Sequence, residues 1–302
     1  MCARGFESGL RPAAGAGTWY PSGEKNLRRE VEEYINAAPQ AEGKGRLIAL
    51  VSPHAGYRYS GAVAGHAYRQ VEGLSFDTVV CVGLSHGIPL HRASVLDGDA
   101  YETPLARTPI DKDLVARLLK HDEVFYYHAE AHAVHRGFYG PQAEHSVENQ
   151  LPFLQMVLPE FRFVEVLLQQ ATVDFCRQVG KAIAEEVRNG NALLVASTDL
   201  THFPRQEDAE RVDRAALSAI VEPDLDRAAA ELDRIEVESQ GTPGLSCVMC
   251  AKGAVLAVIA AAQALGADTG VILKYTNSGM VTGDSSRVVG YGAVAYYQSR
   301  RE

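Results

Sequence analysis

Cysteine is scarce in this 302-residue chain: Cys2, Cys81, Cys176, Cys247 and Cys250 are an odd and sparse set. That excludes a disulfide framework and points to a reducing compartment. Positive charge is also short, with 29 basic residues against 38 acidic ones and a formal charge of −9. With no basic stripe interleaved with aromatics, a dedicated nucleic-acid surface is excluded. No run approaches the ~18 uncharged apolar residues of a membrane helix, and the Ala-rich "GAVLAVIAAAQALGA" is too short. The N-terminal "MCARGFESGLRPAAGAG" has no apolar core of the signal-peptide kind, so the expected location is the cytoplasm, without a membrane partner. Internal repeats and Gly/Ser/Pro linkers are missing too, so one domain over 1–302 is expected, with about the first 15 residues as a flexible lead.

What is present is alternation. Short apolar runs alternate with amphipathic stretches along the chain, the pattern of strands and helices in a mostly parallel sheet. Strands are predicted near 46–51, 76–82, 162–168, 192–197, 271–276 and 288–297. Helices are predicted near 24–36, 61–71, 111–120, 146–157, 173–188, 206–221, 224–232 and 249–264, with Asp111, Ser146 and Thr172 as N-caps. The fold class is therefore α/β, a single domain with a central, mostly parallel sheet and helices on both faces. Residues 121–145 carry five of the ten histidines without periodicity and are expected to form a long loop over the sheet.

Three of the histidines outside that segment fall at strand ends. His54 follows "LIALVSP", His86 follows "TVVCVGLS", and "STDLTH" puts Asp199 and His202 after "NALLVA". In an open parallel sheet the carboxyl ends share one edge, and ligands bind outside it. One turn histidine alone is best explained by a backbone hydrogen bond. Three at equivalent strand ends point to metal ligation, usually by three protein groups with a position left open. Cys250, near the start of an Ala-rich helix, is the third ligand expected here; the helix terminus should lower its thiol pKa. Cys247 completes a C-x-x-C that either competes with it or pairs with it, and two small buried hydrophobes are the plain alternative. His145 and Glu148 in "EHSVENQLPF" read equally as a capping arrangement and as acid–base or supporting groups beside a metal.

"GLSHG" at 83–87 matches the serine nucleophile elbow in letters only. The elbow needs a helix immediately after the serine, whereas Pro89 and the β-like "RASVL" follow. Ser85 is read as shaping the turn that presents His86.

Six segments in order, "GTWYP" at 17–21, "SPHAGYRYSG" at 52–61, "GLSHG" at 83–87, "EHSVENQLPF" at 144–153, "STDLTHF" at 197–203 and "CAKGAV" at 250–255, resemble the MEMO family, also called AmmeMemoRadiSam system protein B. The resemblance implies a single α/β domain similar to class III extradiol dioxygenases, which are non-haem iron enzymes. It makes His54, His86 and Cys250 the metal ligands, with the cysteine where the dioxygenases have a carboxylate. It places His145, Glu148, Asp199 and His202 as catalytic groups in the same pocket, and Trp19 and Tyr20 as an aromatic wall for substrate.

The function expected is a metal-binding, dioxygenase-like oxidoreductase, with ferrous iron (Fe2+) as the cofactor and copper or zinc as alternatives that suit the thiolate. The competing readings are a non-catalytic pocket for a small molecule or peptide, stabilised by metal, and a zinc-dependent hydrolase. The family name implies radical-SAM and AMMECR-type partner proteins.

Overall fold

A strand buried on both faces shows no polar alternation, and three such runs make the centre of this protein. The structure, a computed structural model, describes residues 9–41, 45–133, 135–137, 140–142, 144–169 and 172–299. Its main sheet contains, in chain order, β1 (Arg46–Ser52), β2 (Thr78–Gly83), β3 (Ala93–Val95), β4 (Phe125–Tyr126), β5 (Arg162–Leu167), β6 (Ala192–Ser197), β7 (Thr269–Asn277) and β8 (Gly290–Gln298). Their spatial order is β7-β8-β1-β6-β2-β5-β3-β4. The four central strands, β1, β6, β2 and β5, are parallel; β7 and β8 are antiparallel additions on one side and β3 pairs antiparallel with β5 on the other. All six predicted strands are found, and the mostly parallel sheet of an α/β domain is confirmed.

The eight predicted helices also form: α1 (Glu24–Asn36), α2 (Tyr57–Tyr68), α3 (Lys112–Leu118), α4 (Leu151–Val157), α5 (Val173–Val187), α6 (Gln206–Ile220), α7 (Leu225–Glu238) and α8 (Lys252–Ala264). They cover both faces of the sheet. Asp111 and Thr172 cap α3 and α5 as expected, accepting from Leu114 N and Phe175 N. Ser146 does not cap: its hydroxyl donates to Leu84 O at 2.7 Å, and the chain enters α4 through a 3-10 turn, Glu148–Gln150. α8 is buried on all sides from Gly253 to Ala262, which is why its sequence lacks a polar face. No helix of the described residues is long and apolar enough to cross a membrane.

Two expectations need correction. The flexible lead is, from Gly9 onward, part of the fold: Leu10–Arg11 pairs in parallel with Ala100–Glu102, and Arg11 is 1% exposed. Residues 1–8, including Cys2, lie outside the described residues. The 121–145 segment is not one long loop, because it contains β4, a short helix Ala129–Ala133 and the hairpin His135–Gly137/Gly140–Gln142; the side chain of His135 lies outside the described residues. His132 anchors the segment in the core. Its Nδ1 meets Glu165 at 3.0 Å and its Nε2 meets Ser94 Oγ at 2.8 Å. That row has the order of a hydrolase triad, yet all three side chains are at most 1% exposed, so it serves as a buried brace.

Two consequences can be checked by denaturation. A Cβ on Gly180 of α5 would lie 2.4 Å from Ala257 O and 2.5 Å from Ala260 Cβ of α8. Gly180→Val is expected to cost about 2–3 kcal/mol in urea unfolding through forced separation of these helices. Asp213 of α6 accepts from Thr201 N at 2.9 Å and from the Tyr275 hydroxyl at 2.7 Å, and burial, partly offset by these bonds, raises its pKa to about 6. A carboxyl raised on folding favours the native state when protonated. Its contribution is full below the unfolded value near 3.8 and is lost as pH rises through about 6. Asp213→Asn should therefore flatten the dependence of Tm on pH between about 4 and 6.

Candidate functional site

The site is built on the carboxyl ends of three adjacent strands. β1 and β6 run in register, Ser52 opposite Ser197, so residues two positions further on, His54 and Asp199, arrive side by side. Asp199 Oδ1 accepts from His54 N at 2.9 Å and Ala55 N at 3.3 Å, closing the turn that Pro53 begins. His86 leaves β2 in the same layer. Ser85 is buried and its hydroxyl accepts from Ile88 N at 3.3 Å, the turn-shaping role expected of it.

The hydrogen bonds at the histidines determine which ring nitrogen carries the proton. The Ser197 hydroxyl donates to Ser146 O and accepts from Gln150 Nε2 at 2.7 Å, so it can only accept from His54 Nδ1 at 3.0 Å. His86 Nδ1 donates to the Glu144 carboxylate at 3.0 Å, and His202 Nδ1 donates to Leu200 O at 3.0 Å. In its neutral form each of the three imidazoles therefore carries its lone pair on Nε2. This is the orientation that supporting carboxylates, hydroxyls and carbonyls impose on metal-binding or basic histidines.

His54 Nε2 lies 3.5 Å from Cys250 Sγ. Two ligands of one tetrahedral ion, with metal–nitrogen and metal–sulfur bonds of about 2.1 and 2.3 Å, stand ~3.6 Å apart. Rings His54 and His86 meet edge-on, with centroids 5.4 Å apart and planes at 85°. His86 and His145 instead stack face to face at 4.7 Å and 8°. Lone pairs in parallel ring planes cannot meet on one ion. His86, Glu144 and His145 do form the group of metal-ligand atoms within 4.8 Å of one another among the described residues. The Glu144 oxygens are already engaged by His86 Nδ1 and by the backbone N–H groups of His86, His145 and Ser146. The donor chemistry of His54, His86 and Cys250 fits a borderline or soft ion better than that cluster does.

The charges follow from these contacts. Burial opposes a charge on Glu144, but His86 and His145 outweigh it and hold the carboxyl well below the usual range. Burial raises Asp199 against the pull of His202 and the backbone N–H groups, and burial lowers His202 against the pull of Asp199. The lowered Cys250 pKa expected from the helix terminus is not found. Burial, then Asp199 and Cys247, push the thiol up, because Cys250 precedes α8 at the end of a turn and lies beside a carboxylate. Cys247 is pushed up to about 12 by burial and Asp199, and its sulfur faces His202 Nδ1 at 3.5 Å. The two cysteines thus serve different histidines.

Other predicted residues sit around the same cavity of about 1130 Å3, which is lined by His54, His86, His145, Asp199, His202 and Trp19 among others. Trp19 stacks on His145 at 3.7 Å and 7°, forming a pile of three rings with His86. Tyr20 also lines the cavity, with its hydroxyl given to Glu148 at 2.5 Å. Glu148 takes further bonds from Gly15 N at 2.6 Å and Arg11 at 2.5 Å, so its carboxylate clamps the N-terminal segment. Sequence reasoning missed Glu144, Ser197 and Arg11. Glu144 and Ser197 stand in the quoted motifs and were readable as histidine supports, whereas Arg11 carries no local signal.

The model of the family described as "Memo-like protein" matches residues 11–295. A MEMO1 family protein of Methanopyrus kandleri is 36% identical over 298 residues, covering 95% of this chain and 98% of that protein. MEMO1 family proteins of Nitrosopumilus maritimus and Aquifex aeolicus are 31% and 32% identical, covering 95% and 93% of this chain. A solved structure of an uncharacterized protein from Escherichia coli K12 shares the fold at a TM-score of 0.55 and 14% identity, covering 83% of this chain and 99% of that one. With its strand-end histidines and full-length matches, the chain belongs to the Memo-like family.

Proposed function

We propose that this protein binds a metal ion through His54, His86 and Cys250 and acts as a dioxygenase-like oxidoreductase on a small molecule held in the adjoining cavity. The observation that carries the reading is the 3.5 Å separation of His54 Nε2 and Cys250 Sγ, with Nδ1 of both histidines committed to supporting acceptors. Two imidazoles and one anion leave positions open on one face of an ion; iron, or copper as an alternative, would supply Lewis acidity and redox chemistry there, and zinc, the other alternative, Lewis acidity alone.

The chain's own groups do the rest. Ser197 and Glu144 hold the two imidazoles with their lone pairs toward the site. His202, neutral because burial disfavours its charge, offers Nε2 as the base for a substrate hydroxyl, and Asp199 stabilises the imidazolium that forms. Trp19 and His145 supply a flat wall for an aromatic or planar ligand.

The test is anaerobic titration of the protein with Co2+ and Fe2+. One ion per chain is expected, with a thiolate-to-Co2+ absorption band that vanishes in Cys250→Ala and persists in Cys247→Ala. His54→Ala should weaken binding by at least about 100-fold, and Glu144→Gln by about 10-fold, the usual loss for a supporting partner. A band lost in Cys247→Ala and kept in Cys250→Ala would transfer the ligand role to the other cysteine. Oxygen uptake with catechol-type compounds then separates turnover from binding alone.

A further inference from the structure

The cavity wall carries two cations that are not neutralised by carboxylates among the described residues. Arg287 lies 3.9 Å over the Phe203 ring and Arg58 lies 4.8 Å over the Tyr59 ring, and all four residues line the cavity. Arg28, Arg117 and Arg234 instead pair with Glu24, Glu186 and Glu238, and although Arg92 and Arg214 also lie over rings, those of Tyr126 and Tyr275, neither lines the cavity. The carboxylates that line the cavity are engaged elsewhere. Glu30 accepts from the Tyr34 hydroxyl, Asp284 from Ser286, and Asp199 from the His54 turn. Stacking occupies the face of a guanidinium and leaves its in-plane N–H fork for an oxyanion.

Phe203 is held in place at a cost. Its φ of 74° is the one positive value at a non-glycine position among the described residues. Bulky residues rarely adopt it, and strain of this kind clusters at ligand sites. The backbone there is pinned by Phe203 N donating to Val288 O at 2.7 Å, and Gly244 permits the turn, since a Cβ would lie 2.5 Å from Phe203 O. The strained residue thus sets a ring beneath Arg287, next in sequence to His202.

We propose that Arg287 and Arg58 form an oxyanion subsite and that the ligand of this cavity is an aryl compound bearing a carboxylate or phosphate. The ring would lie among Trp19, Tyr57 and Tyr291, with the anion on the guanidiniums. A cavity of about 1130 Å3 has room for both parts and exceeds what one ring needs. The inference rests on the reading of this cavity as a small-molecule site and is independent of the metal.

Trp19 is the single tryptophan and lines the cavity, so its fluorescence reports binding. The metal-free full chain is titrated with 4-hydroxyphenylacetate, its uncharged amide and phenyl phosphate. One of the anions is expected to bind at least about tenfold more tightly than the amide, and the tighter of the two identifies carboxylate or phosphate as the group. Arg287→Gln should reduce that anion to the affinity of the amide, and Arg287→Lys should retain part of the preference. Arg287 is exposed, and an unchanged circular dichroism spectrum confirms that each variant is folded. Equal affinity for anions and amide, or no effect of Arg287→Gln, overturns the subsite. Binding of none of the three overturns the small-molecule reading with it, while the Co2+ titration still stands or falls by itself.

Discussion

A guanidinium buried to 1% exposure is tolerable only if carboxylates and carbonyls surround it, and Arg11 imposes that condition on the heart of this protein. It bonds Glu148, lies 3.9 Å from Glu165, donates to the carbonyls of His132 and Glu144, and sits 4.6 Å from the Tyr101 ring centroid. Through these contacts one side chain joins the N-terminal strand, the brace under the sheet and the turn that carries His145. Glu144 in turn holds His86, and Glu148 holds Tyr20. Removing the arginine would strand two buried carboxylates, Glu148 and Glu165, at once. Breaking a buried pair from one side costs about 3–5 kcal/mol.

The histidines show how a sheet edge acquires chemistry. Register alone brings His54 beside Asp199, and a hydroxyl or carboxylate at each Nδ1 then selects the tautomer. The supporting groups are as particular as the rings themselves: Ser197 has every hydrogen-bonding position filled, so it has no second arrangement available. Rigidity of that sort suits a site whose ligands must not wander by more than a few tenths of an ångström.

Much of this was legible in the sequence because parallel strands buried on both faces leave unbroken apolar runs, as in "TVVCVG" and "ALLVAS". Their carboxyl ends mark the site without further information. Strands of two or three residues, such as Leu10–Arg11 and Ala100–Glu102, are too short to have a period and were invisible. Arg11 was missed because arginine is read as exposed by default. Ser146 was misjudged because a serine before a helix can spend its hydroxyl across the fold as readily as on the next turn. The Cys250 pKa went the wrong way because the burial of its thiol, and after it the carboxylate arriving from residue 199, leave no trace in the sequence near residue 250.

The contact between His54 and Cys250 spans 196 positions of sequence, and Trp19 and His145 join it from elsewhere. No segment of the chain owns the site. Anything that binds there is linked to completion of the whole sheet, since it must favour the native state over every partly folded one. Occupancy at this edge is thereby a measure of global integrity: a chain whose sheet unravels forfeits its ligand along with its fold.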